Sequence, residues 1–367
     1  MDVARTRPDV SAPLPAAWSY PLLATGFITM LIAVGGGLLR MGWPLPVEFS
    51  GAATWHGALL IGGFFGTVIT LERAVAVAAP AAYFAPLAAA LGALALLAGS
   101  PGSASLLMLL ASVVFCLVSL RLWCRIAESY AVVMLMGAGS WLAGNLLWLS
   151  GAAFAAILPW WCLFLLLTIA GERLELTRFL GRSSVSTWLF LGIVVLLVVA
   201  AAGNGLAGSN DLRLLSLGLI ALAYWLLQFD IARHAVRQTG LTRYIGTCLL
   251  SGYGWLLVGG AIGLVWHPLQ PGAGYDAWLH AILLGFVMMM VFGHALVIFP
   301  ALTRLRLTYH RGFYLAVLVM QVGLLIRVAG DLAGTLPARQ AGGLLNALAI
   351  VLFLLSVLYA VRLGRKT

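Results

Sequence analysis

The sequence divides into twelve long apolar stretches, and this division does most to limit the folds open to the chain. The stretches begin near Ala17, Ala52, Ala82, Ala104, Tyr130, Ala153, Ser184, Leu212, Tyr244, Asp276, Gly312 and Arg339. Each is roughly as long as the ~20 residues that a helix needs to cross the hydrocarbon core of a bilayer. None shows the alternation expected of a transmembrane strand. The sequence therefore predicts an all-α, polytopic transmembrane helical bundle of about twelve helices.

Composition excludes a water-soluble protein. Only 9% of the residues are charged and 63% are hydrophobic, whereas a soluble domain has about a quarter of its residues charged. The outer surface must therefore face membrane lipid, which is the first predicted partner. We expect one integral-membrane domain over residues 1–367, with residues 1–15 as a cytoplasmic tail and residues 16–363 as the transmembrane bundle.

The net charge of +10 reflects membrane orientation rather than a surface for nucleic acid. Of the 21 Lys and Arg residues, 17 lie before the first span, in the connections after even-numbered spans, or at the C-terminus. These are Arg5, Arg7, Arg73, Arg121, Arg125, Arg173, Arg178, Arg182, Arg233, Arg237, Arg243, Arg304, Arg306, Arg311, Arg362, Arg365 and Lys366. Because basic loops stay in the cytoplasm, both termini are predicted to be cytoplasmic, in a multi-pass protein of the bacterial inner membrane.

Three histidines lie within apolar spans. His56 is in "TWHGALLIGGFFG" of the second span, and His280 and His294 are in "WLHAILLGFVMMMVFGHALVIFPAL" of the tenth. Ionisable groups in a bilayer are costly and usually face a functional interior. His56 and His280 each lie about one turn inside the periplasmic surface, so they are at matched depth. His294 is on the same face as His280 but ~21 Å deeper, so these two cannot bind one metal ion.

Two neutral imidazoles on facing helices are suited to hold a b-type haem as axial ligands. The sequence therefore favours a haem protein with His56 and His280 as the ligand pair. His294 would bind a second haem or another metal nearer the cytoplasm, or line a cavity. Glycines after His56 and His280 permit close approach to a flat macrocycle, although glycine also packs helices when no ligand is present. Met288, Met289 and Met290 are more consistent with packing than with Cu(I) binding.

Charged residues near the ends of the spans add further expectations. Arg327 and Asp331 are four residues apart on the eleventh span and can pair with each other. Arg327 is also placed to bind haem propionates, so we count it among the cofactor-binding candidates. The pairs Glu72–Arg73 and Glu172–Arg173 are expected to mark the cytoplasmic interface, with Glu72 a candidate proton entry point. His267, beside Trp266, is expected at the periplasmic interface.

Two alternatives to a haem protein fit the same residues. In a secondary transporter, the histidines would belong to a substrate or proton path between glycine-rich moving helices. In a non-catalytic subunit or assembly factor of a respiratory complex, they would only pack. Among haem proteins, an electron-transfer protein and an oxidoreductase acting on nitric oxide or a quinol both stay open.

Three segments, "WHGALLIGGFFG", "LHAILLGFVMM…GHA" and "LLIRVAGDL", resemble the NnrS family of twelve-helix membrane proteins from denitrifying and nitric-oxide-exposed bacteria. The resemblance places family motifs at Trp55–His56, at His280 with Gly285, and at Arg327. It implies haem and copper as cofactors, nitric oxide as a gas ligand, and a role in nitric oxide or redox stress. The family's Thr-Gly-Arg motif is absent after His294, which makes copper less expected than haem.

A looser similarity is to the catalytic subunits of haem–copper oxidases, which use histidines of a second and a tenth helix. Their adjacent-histidine copper motif is absent from this sequence, so oxygen reduction is not predicted.

Overall fold

The computed structural model describes residues 18–46, 49–177, 183–207, 211–266 and 271–365. The predicted tail at residues 1–15 and the predicted interface residue His267 lie outside these residues. The long helices are α1 Ser19–Arg40, α2 Ser50–Val77, α3 Pro80–Leu97, α4 Pro101–Ile126, α5 Ser129–Leu149, α6 Phe154–Thr177, α7 Ser184–Ala207, α8 Arg213–Phe229, α9 Gly240–Val265, α10 Ala273–Thr303, α11 Phe313–Leu332 and α12 Leu336–Gly364.

The predicted fold class is confirmed. Among the described residues, eleven helices are long and apolar enough to span a membrane, and α8 is a shorter apolar helix of 17 residues. Each helix begins within a few residues of the start that the hydrophobic pattern predicts. The protein is therefore an all-helical, multi-pass membrane protein.

Helix α4 has one face that packs against other helices and one face suited to contact with lipid. Its buried face consists mainly of small or flexible side chains: Ala104, Ser105, Met108, Ala111, Ser112, Phe115 and Ser119. Its exposed face is a stripe of larger aliphatic residues: Leu106, Leu110, Val113, Leu117 and Leu120. Small residues allow helices to approach each other closely, and lipid solvates the aliphatic stripe. This arrangement would be unstable in water and is the expected one in a bilayer.

The first helix begins and the last helix ends on the same face of the bundle. The Tyr20 hydroxyl, at the start of α1, donates to the Thr303 carbonyl at the end of α10 at 2.9 Å. The Thr308 amide, after α10, donates to the Ala360 carbonyl near the end of α12 at 3.2 Å. We call this the inner face, which the distribution of basic residues predicts to be cytoplasmic, and the opposite side the outer face.

Helices α2 and α10 each contain a π-helical segment, at Leu59–Phe65 and Ala281–Met288. The backbone of α2 also departs from helical geometry at Trp55, with φ −102° and ψ 15°. Such wider turns are uncommon and are often found at functional sites because they redirect side chains. The segment in α10 follows His280 directly, and the one in α2 begins three residues after His56.

Candidate functional site

The structure brings His56 and His280 together near the outer face. Their ring centroids are 6.5 Å apart and the ring planes differ by 23°. His56 is on α2 and His280 on α10, so the contact joins helices that are distant in sequence. The two side chains are the predicted ligand pair, and they lie at matched depth as the helix positions indicate.

Backbone carbonyls fix the tautomer of both rings. Nδ1 of His56 is 2.7 Å from the Ala33 carbonyl of α1, and Nδ1 of His280 is 2.8 Å from the Asp276 carbonyl. Because a carbonyl oxygen only accepts, each Nδ1 carries the proton and donates it. Each Nε2 then keeps its lone pair, which is the form of imidazole that binds a metal.

The surroundings of His56 are close-packed on one side. A Cβ placed on Gly37 of α1 would lie 2.8 Å from His56 Cε1, so glycine leaves the space that this ring occupies. Trp55 packs against Trp148 and Phe154, with ring centroids 6.0 Å apart in both cases. These contacts anchor the outer end of α2 against α5 and α6.

The glycines that follow the two histidines serve helix packing. A Cβ on Gly63 would meet Thr29 and Ala93, and one on Gly66 would meet Trp141. Likewise, a Cβ on Gly285 would meet Trp255, and one on Gly293 would meet Cys248. These glycines therefore bring α2 and α10 close to other helices. The structure favours the packing explanation that the sequence left open.

Arg327 lies in a charged cluster beside His280, but its partner differs from the predicted one. The sequence spacing suggested a pair with Asp331, whereas Nη2 of Arg327 donates to Oδ2 of Asp276 at 2.9 Å. Asp331 instead pairs with Arg339 of α12. The i,i+4 prediction was wrong because residues from α10 and α12 offer closer partners. Arg339 Nη2 also lies 3.8 Å from Asp276 Oδ2.

Asp276 connects this cluster to the histidine pair. Its Oδ1 is 3.4 Å from His280 Nδ1, in addition to the hydrogen bond from that nitrogen to its main-chain carbonyl. Sequence analysis did not identify Asp276 as a site residue. Its position four residues before His280 on one helix face was a usable signal.

His294 lies at the inner end of the bundle, away from the other two histidines. Nη1 of Arg173 donates to its Nε2 at 2.9 Å, and its Nδ1 donates to the Met290 carbonyl at 2.8 Å. Both ring nitrogens therefore have protein partners. This geometry favours the predicted role of lining a cavity over the predicted role of binding a metal.

Arg173 lies four residues before the inner end of α6, but its side chain points into the bundle rather than to solvent. Its side chain is 3% exposed, and its Nε lies 3.6 Å from Oδ1 of the fully buried Asp230. The Tyr253 hydroxyl donates to Oδ2 of Asp230 at 2.6 Å. Four side chains from separate parts of the chain thus form one buried network. Asp230 and Tyr253 carried no sequence signal because nothing in the local pattern indicates their contact.

The described residues contain no cluster of three or more His, Cys, Asp or Glu side chains that could hold a metal ion. Met288, Met289 and Met290 are all buried among apolar neighbours, as predicted for a packing role.

Comparison with solved structures identifies a protein of similar fold. A cryo-electron microscopy structure of a heme–copper terminal oxidase dimer matches with a TM-score of 0.67 and 13% identity. The match covers 94% of this chain and 84% of the oxidase chain. At this identity, the comparison shows that the chain has the oxidase fold. No curated protein matches the sequence significantly.

The sequence itself matches one family over almost its whole length. The model of the family described as "Domain of unknown function (DUF8744)" covers residues 19–362, which includes all twelve helices except the last two residues of α12. The chain therefore belongs to the DUF8744 family.

Proposed function

We propose that this protein is a redox protein of the bacterial inner membrane that binds a b-type haem through His56 and His280. The observation that carries the proposal is the facing pair of imidazoles with ring centroids 6.5 Å apart. Their Nδ1 atoms are both committed to backbone carbonyls, which leaves both Nε2 atoms for a metal.

The distance fits two imidazoles on opposite sides of one iron. A metal–imidazole bond is about 2 Å long, so two such bonds in line place the ring centroids ~6 Å apart. The observed separation therefore supports the donor set expected of a haem with two histidine ligands.

The other residues of the site hold and tune these ligands. The Ala33 and Asp276 carbonyls set the orientation of the two rings, and Gly37 leaves room for His56. Arg327 donates to Asp276 through Nη2, while its buried Nε has no hydrogen-bond partner among the described residues. That nitrogen is available to an anionic group, and Arg327 accordingly stays our candidate for holding the propionates. When bound, the haem would supply one-electron transfer.

The oxidase fold supports a redox function, because the matched oxidase is described as a heme–copper enzyme. We assign one haem to this histidine pair and no copper ligands. A role for His294 as a metal ligand is not part of this assignment, since Arg173 uses the lone pair on Nε2.

An optical spectrum of the detergent-purified protein tests the proposal. We expect a sharp Soret band that shifts on reduction and falls at least tenfold in His56→Ala and in His280→Ala. His294→Ala is the matched control, because it removes a buried membrane histidine at the inner end and should keep the band. A colourless protein, even with haem supplied during expression, would contradict the proposal and favour the transporter alternative.

The resemblance to NnrS proteins makes nitric oxide a candidate ligand of the proposed haem. Adding nitric oxide to the reduced protein separates the two haem functions that the sequence leaves open. A shifted Soret band would indicate that the gas displaces a histidine, as an oxidoreductase or sensor requires. An unchanged band would indicate a bis-histidine electron carrier.

A further inference from the structure

The inner half of the bundle contains a second feature that the proposed haem site does not use. This is an apolar cavity of about 130 Å³ between α1, α2, α6, α10 and α12. Its walls include the aromatic side chains Phe27, Phe65, Phe292 and Phe353. Neither His56 nor His280 lines it. The nearest lining residue of α2, Phe64, lies eight residues after His56, or ~12 Å along the helix.

The cavity has ionisable groups on its wall as well as apolar ones. Glu72, Glu172, Arg173 and His294 all line it. The two glutamates and Arg173 lie a little over one turn before the inner ends of α2 and α6, and His294 lies about two and a half turns before the end of α10. Charged groups at this depth are costly in hydrocarbon and mark substrate or proton pathways by default. An acyl chain alone would gain nothing from them, so the occupant must have a polar end.

The charges of this wall disfavour an anionic occupant. The cations Arg73 and Arg173 pair with Glu172 and Asp230, at 3.7 Å and 3.6 Å. Glu72 adds a further carboxyl group to the wall. A fatty acid or phosphate headgroup would therefore have to compete with these acidic side chains for arginines that already have partners. An uncharged headgroup that can donate and accept hydrogen bonds fits better.

Arg173 offers such a headgroup a donor. Its side chain lines the cavity, its Nη1 donates to His294, and its Nε faces Oδ1 of Asp230 at 3.6 Å. A guanidinium has five N–H donors, so these two contacts leave others from which a carbonyl oxygen in the cavity can accept. Glu72 and Glu172 can accept from hydroxyl groups on the same ligand.

We propose that this cavity binds the headgroup of a lipid-soluble quinone or quinol. The ring of such a molecule packs against phenylalanine side chains, and its isoprenoid tail suits the apolar wall. Its two oxygen functions match the arginine donor and the carboxylate acceptors. The proposal rests on the proposed redox function, since a haem protein in a membrane needs a redox partner that dissolves in lipid.

Direct binding tests the site without relying on turnover. The purified protein is placed in lipid nanodiscs, and retention of radiolabelled decylubiquinone is measured against empty nanodiscs. Val291→Trp fills the cavity from α10 and should raise Kd at least tenfold. Val297→Trp is the matched control, because Val297 lies on the same helix but faces outward, 54% exposed. It should leave Kd unchanged.

Binding of the polar headgroup is tested separately with glutamate variants and with a ligand that has no oxygens. These measurements remain informative if Val291→Trp does not fold. Glu72→Gln and Glu172→Gln should each raise the Kd of decylubiquinol about threefold to tenfold. Decylbenzene, which has the ring and tail without oxygens, should bind at least tenfold more weakly than decylubiquinone. Equal binding of the two compounds, or equal weakening by Val291→Trp and Val297→Trp, would overturn the proposal.

The two proposals fail in distinguishable ways. His56→Ala should lose the Soret band and keep decylubiquinone binding, which supports two separate sites. A wild-type protein with a Soret band but no saturable quinone binding would overturn the quinone site alone. If decylubiquinone bound only to pigment-free protein, the cavity would be part of the haem pocket and the quinone site would be rejected.

Discussion

The outer and inner ends of the bundle place histidine in two different settings. At the outer end, His56 and His280 face each other, and each uses only Nδ1 in a hydrogen bond to a backbone carbonyl. At the inner end, His294 uses both ring nitrogens, because Arg173 donates to its Nε2. All three side chains lie within membrane-spanning helices.

The difference shows that residue type and membrane depth do not by themselves define a ligand. Each of the three histidines is costly to place in a bilayer, and each has a structural reason to be there. The outer pair is distinguished by a free lone pair on each Nε2. At the inner end, the Nε2 lone pair of His294 accepts a hydrogen bond from Arg173.

Removing the inner cation should destabilise the protein most. Arg173→Ala leaves the fully buried Asp230 without its cation, and breaking a buried ion pair in this way costs about 3–5 kcal/mol. The free energy of unfolding, measured by denaturant titration in mixed micelles, should fall by this amount. Arg213→Ala is the control, because its pair with Asp211 is at the surface, and it should leave the free energy of unfolding nearly unchanged. Equal losses would show that the inner network is not a stabilising core.

Adding one methyl group at the outer end should perturb the proposed haem without unfolding the protein. In Gly37→Ala the new Cβ would lie 2.8 Å from His56 Cε1 and must displace the ring. We expect haem affinity to fall about tenfold, at the low end of effects from residues that support a metal ligand. Gly57→Ala, beside His56 with nothing within 4 Å of its Cβ, should leave affinity unchanged. Haem titration of the apoprotein measures both, and similar losses would argue against a ring held in place by α1.

The smallest effect is expected from the carboxylate beside His280. In Asp276→Asn the negative charge 3.4 Å from Nδ1 is removed, which disfavours the more positive ferric state. The midpoint potential in a spectroelectrochemical titration should therefore rise, by on the order of tens of millivolts. Asp331→Asn removes the same charge from a residue that pairs with Arg339 instead, and it should give a smaller shift. A larger shift from Asp331 would mean that Asp276 does not act through His280.

Much of the fold follows from hydrophobic pattern alone. Helix starts are predictable because a bilayer leaves few alternatives to apolar helices of about 20 residues. The matched depth of His56 and His280 also follows, because their distance from the helix ends is fixed by helix geometry. The π-helical segments at Leu59–Phe65 and Ala281–Met288 were not predictable, since their residues are ordinary helix residues.

The charged contacts needed the tertiary structure. The sequence suggested that Arg327 pairs with Asp331 within one helix, yet its closer partner Asp276 comes from α10. Arg173 looked like an interface residue, yet it meets His294 and Asp230 in the interior. A side chain as long as arginine reaches residues on neighbouring helices, and spacing along one helix cannot say which neighbour is nearest.

The sequence by itself determined that the chain crosses a membrane many times, and which histidines lie at which depth. Those properties depend on transfer of apolar residues into lipid and on a constant helical rise, both of which are local. Only the tertiary structure decided which histidine faces another and which is held by an arginine. That choice depends on how helices far apart in sequence pack together. A shift of a few ångströms decides whether a histidine Nε2 has a free lone pair or accepts a hydrogen bond from an arginine.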